Sequence, residues 1–336
     1  MKILHIMILD KFIPNFIEFV DKYFERENHK YVLITSEKYN YGLKKEHDIE
    51  FLHTDDDIFT TLVQYMNEAK KIVLHGLWRE KVNLILKENP LLLKKCFWIM
   101  WGGDFYFPEK QSELQKYVIG NVSYLVTGTK GEVDYVRNNY NAKGEHIEAF
   151  VYTSNLFKNI KSSSRIDDKI RILIGNSSTE TNQHFEVFDK LEIYKNENIE
   201  IFVPLSYGDF KYGMQIMKSG YEIFGDKFKP IIDFMNEQDY YKFLATIDIG
   251  IFNHNRQQGM GNIITLLGMG KKVYMNPEVT TYAMFIDKNI KVNSFKLFDL
   301  KLLTPETIKN NISLIKKYFS EAEFNNQLSK LFEKNI

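Results

Sequence analysis

Short, continuously apolar runs alternate with segments of helical spacing along almost the whole chain, and this alternation restricts the fold to one class. ILHIMIL (3–9), YVLIT (31–35), KIVLHG (71–76), CFWIMW (96–101) and YLVTGT (124–129) have the length and composition of buried strands. Between them, FIEFVDKYFE, IFTTLVQYMNEAK, REKVNLILKE and GEVDYVRNNY repeat their apolar residues at helical intervals. Strands separated by helices form parallel sheets, and strands covered on both faces lose the polar half of their pattern. The expectation is an α/β chain.

The alternation breaks once. KNIKSSSRIDDK, 158–169, is polar and serine-rich and reads as a linker. It then resumes with RILIGN, IEIFVPL, DIGIFN and KKVYMN as strands and NEQDYYKFLATI and NIITLLGMG as helices. The predicted organisation is an N-terminal domain over 1–157, the linker, a second domain over 170–310, and C-terminal helices over 311–336 that return toward the first domain. Two such sheets facing a cleft place the residues just after strands in the functional position.

Composition excludes several classes. Lysine plus arginine and aspartate plus glutamate both number 44, so no net positive field draws the chain to nucleic acid. The single Cys96 permits no internal disulfide and argues against a thiolate metal cluster. The opening MKILHIMILDKFIPNF reads as a first strand and not as a signal peptide, and no run reaches the length of a membrane span. A cytoplasmic protein is expected.

Three stretches after strands carry chemistry. In NHNRQQGMGNIITLLGMGKK, 253–272, Arg256, Gln257 and Gln258 precede Gly259, Gly261 and Asn262 at a helix start. Glycines allow close approach of backbone, free N–H groups attract an anion, and a guanidinium suits phosphate. The plain alternative is a strand-to-helix turn with a surface arginine. In ILIGNSSTETNQH, 172–184, Gly175, Asn176 and Ser177 offer small polar groups to a diphosphate or a sugar, while Ser178 or Thr179 caps the following helix. VPLSYGD, 203–209, brings Tyr207 to a strand end. Neither the dinucleotide glycine fingerprint nor the glycine–lysine phosphate loop is present.

In the first half, His75 of VLHG and Asp104 of WGGD follow strands expected to be central. Either suits a general base, and either is equally at home as a structural histidine or a turn cap. The triplet Asp55–Asp57 precedes a helical run, where aspartates cap helices, so no metal site is assigned. REKVNLILKENPLLLKK, 79–95, mixes leucines with Arg79, Lys81, Lys87, Lys94 and Lys95 and fits either a membrane surface or a helix packed on its own sheet.

Taken in order, VLHG, FWIMWGGDFY, ILIGNSSTETNQH, VPLSYG and NRQQGMGNIITLLGMG resemble the TDP-N-acetylfucosamine:lipid II N-acetylfucosaminyltransferases of bacterial surface-polysaccharide assembly. The resemblance implies a GT-B fold of two Rossmann-like domains without a metal requirement or other cofactor. It places a TDP-linked donor on Gly175, Asn176, Ser177, Tyr207 and the Arg256–Asn262 stretch. His75 and Asp104 then face a polyprenyl-diphosphate-linked saccharide at the inner face of the cytoplasmic membrane. The glycine at the second position of WGGD, the SSTETNQ stretch and the end of VPLSYG depart from the pattern and bear on which sugar or base is accepted. A nucleotide-sugar epimerase and a non-catalytic sugar-binding protein are the rival readings of the same architecture.

Overall fold

The structure is a computed structural model and describes residues 2–35, 41–160 and 167–335. Residues 161–166 of the expected linker lie outside the described residues. The chain divides into two compact units, one running up to Ser154 and resuming at Ala322, the other spanning Asn155–Glu321.

The first unit holds β1 (Ile3–Met7), β2 (His29–Leu33), β3 (Ile49–Phe51), β4 (Lys71–His75), β5 (Cys96–Ile99), β6 (Tyr124–Val126) and β7 (Glu145–Ile147). All pair in parallel in the order β3-β2-β1-β4-β5-β6-β7. Its helices are α1 (Ile13–Tyr23), α2 (Val63–Glu68), α3 (Glu80–Glu88), α4 (Pro90–Leu93), α5 (Glu113–Asn121) and α6 (Lys130–Tyr140). Every residue of β1, β4 and β5 is buried, which is why these segments read as unbroken apolar runs. Leu4, Val32, Leu74, Trp98 and Leu125 anchor the core on one face.

The second unit holds β8 (Ile170–Ile174), β9 (Ile199–Pro204), β10 (Phe228–Ile231), β11 (Ile249–Phe252), β12 (Lys272–Met275) and β13 (Asn293–Ser294). These strands are again parallel, in the order β10-β9-β8-β11-β12-β13. Its helices are α7 (His184–Leu191), α8 (Phe210–Phe224), α9 (Glu237–Thr246), α10 (Met260–Gly268), α11 (Thr280–Asp287) and α12 (Pro305–Tyr318). The last helix, α13 (Glu321–Glu333), packs in the first unit, where Phe324 meets Phe19 and the Lys71 ammonium donates to the carbonyls of Leu331 and Phe332. The sequence reading grouped 311–336 as one terminal pair returning to the first domain. The division falls instead between α12 and α13.

In each sheet the strand order reverses once, between β1 and β4 and between β8 and β11. Loops leave the sheet in opposite directions at such a point and open a crevice at the carboxyl ends of the strands.

Candidate functional site

The crevice of the second sheet is lined by the loops after β8 and β11. Gly259 sits at φ +69° as the residue before α10, a left-handed conformation that glycine adopts without strain. Being a glycine, it offers no side-chain cap to the first amides of α10. Arg256 lies three residues before it, half-buried, with one guanidinium nitrogen donating to the Gln257 carbonyl at 3.0 Å.

Gln258 ties the loops together. Its Nε2 donates to Asn176 Oδ1 at 2.9 Å, and its Oε1 accepts from the Thr181 hydroxyl at 2.6 Å. Asn176 in turn donates through Nδ2 to the Tyr207 hydroxyl at 2.8 Å, linking a third strand end. Tyr207 keeps 45% of its surface exposed, as a ring presented to a ligand must. Asn262, one turn into α10, donates to the Tyr240 hydroxyl at 2.9 Å. Ser177 is buried and faces inward, its hydroxyl 3.0 Å from that of Thr179.

Two residues that the sequence reading passed over brace this cradle from below. Asn182 Oδ1 accepts from the Asn176 amide at 3.0 Å, and its Nδ2 donates to the Thr179 carbonyl at 3.0 Å. His254 Nε2 lies 3.0 Å from the same Asn182 oxygen, with Nδ1 3.1 Å from the Gln258 carbonyl. Burial lowers the His254 pKa to about 3, and the neutral ring has one N–H to donate to one of these two oxygens. A Cβ on Gly175 would lie 2.5 Å from Asn182 Oδ1, so the glycine admits this brace. The signal for both was present in the sequence, as polar residues inside apolar surroundings, but nothing in their spacing joined them.

The expected donor-side residues all lie at the carboxyl-end side of the second sheet: Gly175, Asn176, Ser177, Tyr207, Arg256, Gln257, Gln258, Gly259, Gly261 and Asn262 are in the loops after β8, β9 and β11 or in the first turn of α10.

The first unit encloses both Asp104 and His75. Asp104 is fully buried, and both its oxygens are occupied. Oδ2 accepts from the Leu77 amide and from Trp98 Nε1, each at 2.9 Å, and Oδ1 accepts from the Trp101 amide at 3.0 Å. Burial pushes its pKa up to about 7 against the pull of these donors. A carboxylate so enclosed clasps the loops after β4 and β5. His75 is equally enclosed, with Nε2 3.1 Å from His5 Nδ1 and Nδ1 2.9 Å from the Tyr152 hydroxyl. Burial holds it down at about 3.

The aspartate triplet is local too. Asp57 accepts from the Thr54 amide at 3.0 Å, Asp55 pairs with Lys81, and Asp56 accepts from the Thr60 hydroxyl at 3.3 Å. In the 79–95 stretch, Val82, Ile85, Leu86, Leu92 and Leu93 are buried in the unit's own core, and Lys95 donates to the carbonyls of Asn67 and Ala69. The segment is thus a pair of helices packed on its own sheet. Among the described residues no helix is long and apolar enough to cross a membrane.

Known structures share this architecture at low identity. HepE from Anabaena, in complex with UDP and glucose, superposes with a TM-score of 0.72 at 12% identity, over 100% of both chains. A glycosyltransferase from Rickettsia africae gives 0.71 at 13% identity, over 100% of this chain and 99% of that one. A UDP-N-acetylglucosamine 2-epimerase described as putative, from Listeria monocytogenes, gives 0.53 at 13%, over 99% and 96%. These likenesses establish the GT-B fold, which transferases and epimerases share. The sequence itself separates the two: residues 6–310 match the 4-alpha-L-fucosyltransferase family, glycosyl transferase group 56, and the chain belongs to that family of glycosyltransferases.

Proposed function

We propose that the protein transfers a deoxy-amino sugar of the N-acetylfucosamine type from a TDP-linked donor to a polyprenyl-diphosphate-linked saccharide, working peripherally at the inner face of the cytoplasmic membrane. The observation that carries the donor side is the uncapped start of α10, preceded by Arg256 and cross-braced to Asn176 by Gln258. The UDP bound by HepE, which has the same fold, supports a nucleoside diphosphate as the group held there.

Breaking the bond from the sugar to the diphosphate develops negative charge on the leaving oxygens. That charge needs a preorganised partner. The first amides of α10 and the helix dipole supply part of it, and the Arg256 guanidinium supplies a permanent charge. Tyr207 and Asn176 border the same loop and hold the nucleoside or sugar in register. No metal ion or other cofactor is assigned a role.

Calorimetric titration with TDP, UDP, GDP and ADP, with and without magnesium, tests this. Metal-independent preference for TDP, weakened in Arg256→Ala without loss of thermal stability, is the expected result. Preference for UDP changes the donor base but keeps the reaction class. Full activity of Arg256→Ala removes the arginine from the mechanism, and isomerisation of the donor alone identifies an epimerase.

A further inference from the structure

His254 lies two residues past β11 and is 3% exposed. Its ring faces an oxygen on each side, with Nε2 3.0 Å from Asn182 Oδ1 and Nδ1 3.1 Å from the Gln258 carbonyl. Neither oxygen can be exchanged for a donor. The Gln258 group is backbone. The Asn182 amide is fixed by its other contacts, since Oδ1 also accepts from the Asn176 backbone N–H at 3.0 Å and Nδ2 donates to the Thr179 carbonyl at 3.0 Å. Turning the imidazole over would bring ring carbons to both oxygens.

A neutral imidazole carries one N–H and one lone pair, so one of the two contacts sets a lone pair against an oxygen. An imidazolium carries two N–H groups and satisfies both. The geometry therefore suits the charged ring. Burial first, then the charges of Arg256 and His184, hold the ring neutral against the pull of the Gln258 carbonyl. Glu186 approaches the same segment from α7, where its Oε2 accepts from the Asn253 side-chain amide at 3.1 Å.

An added negative charge tips this balance, and Gly259 indicates where it would sit. A Cβ on Gly259 would lie 3.0 Å from His254 Cε1, so the ring packs directly against the residue that opens α10. An anion held by the first amides of that helix adds its charge to the pull of the two oxygens. Neighbouring charges of this kind move the titration of buried groups by several pH units.

Resting on the donor reading above, we infer that His254 takes up a proton when a nucleoside diphosphate binds, so that the diphosphate meets a second cation besides Arg256. The proton comes from solvent and returns to it when the nucleotide leaves. In the complex Nε2–H donates to Asn182 Oδ1 and Nδ1–H donates to the Gln258 carbonyl. Asn182 follows β8 and Gln258 follows β11, so the proton also adds a tie between the two loops.

The full chain and its His254→Gln variant test this with TDP-glucose and UDP-glucose. A diphosphate esterified at both ends has no group that titrates near neutrality, so a proton counted on binding belongs to the protein. Calorimetry in buffers of differing ionisation enthalpy should count about half a proton or more taken up per nucleotide bound at pH 7. By linkage, Kd should rise about tenfold from pH 6 to pH 8. His254→Gln should lose both the uptake and this pH dependence. Nitrogen NMR of the histidine-labelled parent, assigned through its backbone, reads the ring without relying on the variant. The two ring nitrogens of His254 should be unlike in the free protein and become alike when nucleotide saturates it. Binding without proton uptake, or uptake located at His184 instead, overturns the inference and leaves the donor reading standing. A parent that binds neither nucleotide sugar overturns both.

Discussion

The Gln258 side-chain amide stands 2.9 Å from Asn176 Oδ1 and joins the loop after β11 to the loop after β8 across the point where the sheet reverses. The two residues are 82 positions apart in sequence. On the proposed reading, a nucleotide at α10 meets a cradle whose two walls are already fixed to one another. Such preorganisation removes the loop-ordering term from binding.

Removing that tie should loosen the cradle without unfolding the unit. Gln258→Ala leaves Asn176 Oδ1 and the Thr181 hydroxyl without their shared partner, at a half-buried position where water can replace it. TDP affinity is expected to fall about tenfold, close to 1.4 kcal/mol, with little change in melting temperature. Calorimetry and a thermal melt on the same sample check both. Unchanged affinity would show that the loops hold their positions independently.

The glycine pair of WGGD makes a distinct prediction. Gly103→Ala places a methyl 2.6 Å from the Trp78 ring, so the indole must move or the loop must shift. The expected loss is about 1–3 kcal/mol in a denaturant titration, with altered tryptophan emission from the displaced ring. Gly76→Ala should lose more, because Gly76 also sits at φ +80°. If both variants melt like the parent, Trp78 does not rest on these glycines.

Tyr152 joins Trp101 to a buried row of histidines. Trp101 Nε1 donates to the Tyr152 hydroxyl at 3.0 Å, and an indole nitrogen can only donate. The phenol proton then goes to His75 Nδ1 at 2.9 Å, His75 Nε2–H to His5 Nδ1 at 3.1 Å, and His5 Nε2–H to His29 Nδ1 at 2.9 Å. Burial keeps the three rings neutral, His75 at about 3 and His29 at about 4. Tyr152→Phe leaves the Trp101 nitrogen and His75 Nδ1 unpaired together, for an expected loss of about 1–3 kcal/mol per unsatisfied group. A urea titration measures it, and a loss under about 0.5 kcal/mol would mean that the row is not coupled through the phenol.

How far the sequence could be read depended on burial. Central strands such as β1, β4, β5 and β11 are covered on both faces and announce themselves as apolar runs. The four strands absent from the sequence reading, β3, β7, β10 and β13, are the four sheet edges. Each has two to four residues and is partly exposed, and β10 carries Pro230, which an edge tolerates. The proposed donor loop stands out in the sequence because glycines, amides and an arginine cluster within seven residues, 256–262. The purpose of the glycine pair before Asp104 was not legible, because what Gly103 makes room for, the Trp78 ring, is distant in sequence.

The last prediction concerns a second buried acid near that clasp. Glu132, in the first turn of α6, is 2% exposed and accepts a hydrogen bond from the Thr127 hydroxyl through Oε2. Its Oε1 has no partner among the described residues. Burial first, and the Asp104 charge second, push its pKa up to about 8. The unfolded chain releases this proton near pH 4.5, so between that value and about 8 the folded state binds one proton more. Stability from this group is therefore greatest below the unfolded pKa and falls as pH rises toward 8. Asp104, raised to about 7, works in the same direction over the lower part of the window. Glu132→Gln retains an oxygen for Thr127 and cannot ionise. Its melting temperature relative to the parent should rise steadily from pH 5 to pH 8.5, by an amount equivalent to about 1–3 kcal/mol at the upper end. Parallel melting curves for the two proteins across that range would show that Glu132 is not held protonated.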